Sequence, residues 1–282
     1  MLAEGGGTLP IIPRKRYTAA VHTSTFSDSL IPPEDIRALR RDKYSDDPQA
    51  DVSDDLRRLA AGEPLAYVIS WVPFLGLRIG LGSRPLIPRP ETEWWTEQVI
   101  AELREKFGDR PFSLLDLCAG SGCIGLAVLS AFPAARVYFG ELMPEHVALI
   151  RQNVELNGLN AARADIRESD LFEAFDSPLP YERFDTIVAN PPYIPESRAL
   201  DASVTSFEPH EALFAGADGF TIIRKIVEQA ENHLLPGGAL WIECDVTNAG
   251  KACELAAKVG FSAELRTDQY GRARLVVAYL GQ

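Results

Sequence analysis

Short apolar runs alternate with stretches of helical periodicity over most of this chain. From residue 92 onward the alternation predicts β-α-β-α order. A helix is predicted over 93–107, with Ile100, Leu103 and Phe107 on one face. Strands are predicted at 113–117, 136–140, 165–168, 184–189 and 239–243. Between them one helix starts near Ser121. A second spans 144–156, with Pro144 early and Gly158 as its stop. A third places Phe220, Ile223, Val227, Ala230 and Leu234 on one stripe and ends at Leu235-Pro236-Gly237-Gly238. Such strands, joined by helices, imply a doubly wound, Rossmann-like and mostly parallel sheet. Segments 262–267 and 274–279 flank Asp268-Gln269-Tyr270-Gly271-Arg272 and read as a hairpin, which adds a C-terminal antiparallel strand.

The first 90 residues differ. Residues 1–30 are rich in Gly, Pro, Ser and Thr and are expected to be loose. Residues 33–62 carry helical patterning (Ile36, Leu39, Arg40, then Leu56, Leu59, Ala60), broken at Asp46-Asp47-Pro48. In F-L-G-L-R-I-G-L, Leu75, Leu77, Ile79 and Leu81 alternate with polar or small residues. This reads as one half-buried strand within a hairpin. The expected division is 1–65, a flexible N-terminus and small helical docking unit; 66–90, a hairpin linker; and 91–282, the main domain.

Composition narrows the classes. The chain has 282 residues, 46% of them hydrophobic, enough for one large core and a small second unit. Net charge is −12, which repels phosphate backbones. Arg14-Lys15-Arg16 and the group Arg37, Arg40, Arg41, Lys43 are short and read as solvated charge. Cys118, Cys123, Cys244 and Cys253 show no Cys-x-x-Cys spacing and no histidine near them in sequence, so reduced thiols in a cytoplasmic setting are expected. No apolar run is long enough for a membrane helix. The Ser, Thr and basic residues among the first thirty leave organelle targeting as a second reading. No metal-ligand set and no assigned base stand out.

The candidate chemistry sits at strand ends. D-L-C-A-G-S-G-C-I-G, residues 116–125, places Gly120, Gly122 and Gly125 between a strand and a helix. Glycines let backbone approach a ligand, and a helix start offers free N–H groups. Glu141 ends the next strand, 21 residues past Gly120, where a carboxylate can accept both hydroxyls of a ribose. The pattern fits a nicotinamide dinucleotide and S-adenosylmethionine alike. Asp170 and Leu171, after the third strand, would flank an adenine, although Asp170 could equally cap a helix.

I-V-A-N-P-P-Y-I, residues 187–194, ends the fourth strand on the same rim. A residue before proline is pushed to extended geometry, and proline fixes its own φ. Pro191 and Pro192 therefore hold the Asn190 side-chain oxygen and the Pro191 carbonyl as two preset acceptors. Two acceptors facing one –NH2 group push density back onto a delocalised nitrogen and aim its lone pair. The electrophile must then already be strong, as a sulfonium methyl is, and positioning does the rest. Tyr193 could stack on the planar amide or base.

Asn-Pro-Pro-Tyr with the glycine turn resembles the amino-methyltransferases that use S-adenosylmethionine. G-E-P-L-A-Y-V-I (62–69), P-L-I-P-R-P-E-T-E (85–93) and E-P-H-E-A-L-F-A-G-A-D-G (208–219) narrow the resemblance to the release-factor glutamine methyltransferases, over roughly residues 60–280. It implies a class I methyltransferase fold, S-adenosylmethionine as cofactor, and the glutamine of the Gly-Gly-Gln loop of translation release factors as acceptor. By matched position it implies Asn190, Pro191 and Tyr193 as catalytic, with Pro192 beside them. It assigns the cofactor to Cys118, Ala119, Gly120, Ser121, Gly122, Glu141, Asp170, Leu171 and Asn190. Arg89, Glu91, Thr92 and Glu93 would stand in the pocket wall; the alternative is helix capping and charge for Arg89 and the two glutamates, and a plain helix start for Thr92. Phe74 fits a core aromatic better than a tunnel wall.

Three departures from the family pattern stand out. Cys118 and Ala119 replace a usual Gly and a Thr or Ala, so the turn is expected to avoid positive φ at Cys118. Glu141 stands where aspartate is commoner. The N-terminal unit is short. A release factor as partner, a monomer, no membrane and no nucleic acid are the resulting expectations. The rivals are a glutamine methyltransferase of a ribosomal protein, a nucleic-acid amino-methyltransferase, an NAD-dependent oxidoreductase and an inactive binding module.

Overall fold

The computed structural model describes residues 31–176 and 182–282. The expectations for residues 1–30, including the Arg14-Lys15-Arg16 cluster and the targeting reading, lie outside the described residues.

Three helices come first: α1 (Pro33–Tyr44), α2 (Ser53–Ala60) and α3 (Leu65–Ile69). They bury their own small cluster of Leu39, Val52, Val68 and Ile69, with Trp71 packed against it. Asp55 is buried between Lys43 at 2.7 Å and the Tyr44 hydroxyl at 2.7 Å. The hairpin that follows is β1 (Trp71–Phe74) with β2 (Leu77–Gly80). Here the alternating run is not one strand. Leu75 and Gly76 both take positive φ, 46° and 82°, as a two-residue turn requires, and the chain reverses inside the run. Phe74 is 1% exposed and belongs to the core.

The main domain comprises α4 (Pro90–Phe107), β3 (Ser113–Leu117), α5 (Cys123–Ala131), β4 (Arg136–Glu141), α6 (Pro144–Leu156), β5 (Ala164–Glu168) and β6 (Phe184–Ala189). It continues with α7 (Ala202–Phe207), α8 (Thr221–His233), β7 (Leu234–Glu243), α9 (Ala249–Lys258), β8 (Ser262–Thr267) and β9 (Ala273–Tyr279). The strands form one sheet of order β5-β4-β3-β6-β7-β9-β8, parallel except for β9. The Leu235-Pro236-Gly237-Gly238 segment does not merely end α8; it lies within β7, whose pairing with β6 shifts register there. Pro90 and Pro144 occupy helix starts, where a missing N–H costs nothing.

Strand side chains divide by parity. Leu114, Val137, Val188 and Trp241 face α4, α5 and α6 through Trp95, Val99, Ile124, Val128 and Ile150. Leu115, Leu117, Ile187, Leu240 and Ile242 face α8 and α9 through Ile223, Val227, Ala252 and Ala256. Burial on both faces is why these strands read as unbroken apolar runs. The hairpin docks on α6: Asn153 Oδ1 accepts from Gly80 N–H at 2.8 Å, and Asn157 Oδ1 accepts from Arg78 N–H at 2.9 Å.

Candidate active site

Register puts the chemistry together. Leu117 pairs with Ala189 and with Gly140, and Glu141 pairs with Glu168, so the turns after β3, β4, β5 and β6 leave the sheet on one rim. Beside that rim lies a cavity of about 690 Å³. Cys118, Ala119, Gly120, Ser121, Glu141, Asp170 and Leu171 line one part of it. Thr92, Asn190, Pro192 and the segment 206–212 line another.

The three glycines of the turn differ in purpose. Gly120 takes φ +55°, and a Cβ there would meet only Pro85, at 4.0 Å; the backbone conformation is what requires glycine. Gly125 has no positive φ, but a Cβ would stand 2.4 Å from the Phe139 ring, so close helix–strand packing requires it. Gly122 combines both, at φ +78° with Ile150 3.0 Å away. Cys118 takes φ +54°, against the expectation that this turn avoids positive φ. The chain keeps the glycine-type backbone and bears the strain of a side chain on it.

Glu141 organises the turn. Its Oε2 accepts from Gly120 N–H at 2.7 Å and its Oε1 from Met143 N–H at 2.9 Å. Each oxygen retains a further lone pair, so a diol can still be accepted. Asp170 is exposed at the cavity, and the short helical turn after it carries no side-chain cap. Leu171 is buried at φ +52°. Under the turn Asp116 is fully buried. Its Oδ2 accepts from Gly125 N–H at 2.8 Å and its Oδ1 has no partner. Burial pushes its carboxyl up to about 8.

The Asn-Pro-Pro-Tyr loop is held from several sides. Asn248 Nδ2 donates to Tyr193 O at 3.2 Å and to Gly219 O at 3.0 Å. A Cβ on Gly219 would stand 2.3 Å from Tyr193 O. Arg198 grips Asp245 with two bonds, at 2.6 and 3.1 Å. Asn190 Nδ2 donates to Thr92 Oγ1 at 3.2 Å, while Asn190 Oδ1, closed off from solvent, has no partner. A buried unpartnered acceptor costs about 1–3 kcal/mol, and the residue that carries this one lines the cavity.

Behind Asn190 stands Glu243, 1% exposed at the end of β7. It accepts from the Thr92 hydroxyl at 2.7 Å, Trp95 Nε1 at 2.6 Å and the Tyr193 hydroxyl at 3.1 Å. Tyr193 therefore anchors inward and is not among the residues lining the cavity; nor are Gly122, Pro191, Arg89, Glu91 and Glu93. Arg89 Nη2 donates to Glu208 Oε1 at 2.6 Å, and Ile87 N–H donates to Glu208 Oε2 at 3.1 Å. This pins the 85–93 segment to the 208–219 segment. Glu91 pairs with Arg272, and Glu93 accepts from Leu75 N–H at 2.7 Å. These three side chains secure the wall rather than form its surface. The sequence reading missed Glu243, although an acid closing the apolar run Leu240-Trp241-Ile242 carried the same signal as Glu141. It also missed His146, buried at the cavity with Nδ1 2.7 Å from Ser83 Oγ.

Residues 96–208 match the family model described as Methyltransferase small domain. A release factor glutamine methyltransferase of Deinococcus radiodurans is 36% identical over 233 residues, covering 82% of this chain and 80% of the relative. One from Geobacter sulfurreducens is 38% identical, covering 72% and 68%. Among solved structures, a methyltransferase from Pyrococcus furiosus superposes with TM-score 0.53 at 18% identity, covering 82% of this chain and all of that one. A 16S rRNA N2 methyltransferase from T. thermophilus, in complex with AdoMet and guanosine, gives TM-score 0.50 at 21% identity, covering 74% and 49%. The structural likenesses establish a methyltransferase fold.

Proposed function

The chain belongs to the release factor glutamine methyltransferase family, and from that premise we propose that it methylates the side-chain amide nitrogen of a glutamine in the Gly-Gly-Gln loop of a translation release factor. The observation that carries this reading is Asn190, which lines the cavity beside the glycine turn and whose buried Oδ1 has no partner.

The residues fit S-adenosylmethionine. Gly120 to Gly122 would take its amino-acid end, Glu141 the ribose hydroxyls, and Asp170 and Leu171 the adenine. When bound, the cofactor supplies a methyl already activated by a sulfonium. The chain's own work is then positional. By matched position Asn190 Oδ1 would accept one N–H of the acceptor amide and the Pro191 carbonyl the other, although Pro191 does not itself line the cavity. Both acceptors push electron density onto the nitrogen and hold the –NH2 plane so that the lone pair faces the methyl. Pro192 borders the slot. Tyr193 braces the loop from behind through Glu243, in place of the stacking contact expected from sequence. No side chain of the cavity wall is assigned as base; the proton departs to solvent after transfer.

The net charge of −12 favours a protein acceptor over a nucleic acid. A dinucleotide-dependent oxidoreductase accounts for the glycine turn but not for Asn190. The setting we assign is a cytoplasmic monomer acting on a free release factor; among the described residues no helix is long and apolar enough to cross a membrane. The test is methyl transfer from labelled S-adenosylmethionine to a purified release factor. Its Gln→Ala loop variant, a ribosomal protein fraction and ribosomal RNA run beside it. Label confined to the intact loop is the expected result. Label on RNA, on ribosomal protein or on the loop variant overturns the substrate.

A further inference from the structure

Asparagine has two faces at its amide, and only the oxygen face can accept a hydrogen bond. A free asparagine at a cavity wall can turn either face outward. Something must therefore decide which atom of Asn190 meets the acceptor amide. We infer that Glu243, acting through the Thr92 hydroxyl, is the positioning residue that sets this polarity; the inference rests on the methyl-transfer reading above.

The chain of bonds leaves one arrangement. The Glu243 carboxylate receives three donors: Trp95 Nε1, Thr92 Oγ1 and the Tyr193 hydroxyl. Burial pushes this carboxyl upward, and those donors, with the charge of Arg274, oppose the push. A carboxylate can only accept. Trp95 Nε1 can only donate, which commits Oε2 to accepting there, and Thr92 shares that same oxygen. The single Thr92 proton is thus spent on Glu243. Its oxygen can offer Asn190 only a lone pair. The group that meets a lone pair is Nδ2, at 3.2 Å, so Oδ1 is left facing away from Thr92. Asn190 Oδ1 is the unpartnered atom.

Register explains why the groups meet. Ala189 pairs with Ile242, so the next residues along, Asn190 and Glu243, lie side by side at the ends of β6 and β7. Val188 and Trp241, two residues earlier, face the α4 side of the sheet. Thr92 and Trp95, three apart on the first turns of α4, present one face to that point. Thr92 is 1% exposed and Trp95 2%. Without an accept-only partner behind it, the Thr92 hydroxyl could donate to Asn190 Oδ1 instead. The amide would then turn its –NH2 toward the acceptor –NH2, donor against donor.

The experiment compares wild type, E243A, E243Q, T92V and T92S as full-length proteins. Two readouts are taken. The first is kcat and KM for the release factor, with S-adenosylmethionine affinity measured separately by calorimetry. The second needs no turnover: hydrogen exchange of the Asn190 side-chain amide by ¹⁵N NMR in the free protein. E243Q keeps an oxygen that can accept from Thr92 and Trp95, and its nitrogen can donate to the Tyr193 oxygen. E243A keeps neither. The expected result is a kcat loss of about 100-fold in E243A and T92V, with cofactor affinity within about threefold of wild type. E243Q and T92S recover at least tenfold of that loss. Asn190 amide protection is present in wild type, E243Q and T92S and lost in T92V.

Two outcomes overturn the inference. One is T92V with wild-type kcat and retained amide protection. The other is E243Q as impaired as E243A, since charge or packing rather than polarity would then be the cause. If E243A fails to fold, the T92V and T92S pair decides alone. If wild type methylates no release factor, the function is wrong, yet amide exchange in T92V still tests the polarity by itself.

Discussion

Asn190→Ala separates catalysis from stability. The side chain makes one hydrogen bond, Nδ2 to Thr92 at 3.2 Å, and carries one buried unpartnered oxygen. Deleting the bond costs about 0.5–1.5 kcal/mol net, while removing an unsatisfied buried acceptor returns about 1–3 kcal/mol. The net runs from a loss of about 0.5 to a gain of about 2.5 kcal/mol, so folding stability is expected to hold or rise. Turnover behaves otherwise. Loss of one preset hydrogen-bonding group at a reacting centre removes about 2.7–4 kcal/mol of transition-state stabilisation, or 10²–10³ in kcat. Labelled-methyl transfer gives kcat, calorimetry gives cofactor affinity, and urea unfolding gives stability. A variant that turns over within tenfold of wild type refutes the assignment of Oδ1 as acceptor. A loss of more than about 3 kcal/mol in stability refutes the claim that the oxygen is unsatisfied.

Cys118→Gly should stabilise the protein by up to about 1 kcal/mol, because φ +54° strains any residue with a Cβ; a lower melting temperature would contradict this. Gly125→Ala should cost at least about 2 kcal/mol by driving a Cβ into the Phe139 ring 2.4 Å away. Gly120→Ala, with no atom nearer than 4.0 Å, should fold but bind S-adenosylmethionine at least tenfold more weakly. Calorimetry and thermal melts distinguish the two glycines, and equal melting temperatures would remove the distinction. Asp116 gives a pH signature. The unfolded chain loses this proton near pH 4 and the folded protein near pH 8, so between those values the folded state holds the extra proton. Stability should therefore fall as pH rises through that window, by at most about 1.4 kcal/mol per unit. Urea unfolding of wild type should show a steeper decline than Asp116→Asn from pH 6 to 8; parallel slopes would remove Asp116 as the cause.

Much of this fold was legible in the chain because the signals were local. Pro144 and Gly158 bracket a helix whose limits, Pro144–Leu156, match the reading. The apolar runs at 113–117 and 184–189 are strands as read, since burial on both faces leaves no other pattern. The hairpin expected within 66–90 is present at 71–80, but the run 75–81 was misread as one strand because Leu75 fits the alternation, while its positive φ is set by the turn with Gly76. Cys118 was misjudged for a related reason: a side chain argues against positive φ locally, and the glycine turn around it overrides that preference. Candidate residues were legible where one residue type carries one chemistry, as with Asn190 and Glu141, and the structure brings both to the cavity. They were obscure where function is shared over distance. Glu243 lies 148 residues from Trp95 and 151 from Thr92 in sequence, and nothing short-range links them. Arg89 and Glu208 are 119 apart, yet their pairing turns two separate sequence segments into one wall.

The strand order predicts that the two halves of the candidate site can be perturbed separately. The chain runs outward through β3, β4 and β5, then returns to place β6 on the other side of β3. Ligands bind where winding reverses in this way, because the turns on either side part and leave a crevice. The glycine turn, Glu141 and Leu171 belong to the outward half, whereas Asn190, Tyr193 and Glu243 belong to the returning half. Changes in the first should alter cofactor affinity, and changes in the second should alter turnover. The arrangement depends on register as much as on residue type. A slip of one residue in β6 or β7 would carry Asn190 or Glu243 to the α8 and α9 face. The apolar parity of Val188 and Trp241 against Ile187 and Ile242 forbids that slip. The hydrophobic core thus does more than hold the sheet together, for its alternation also decides which face the Asn190 amide and its carboxylate share.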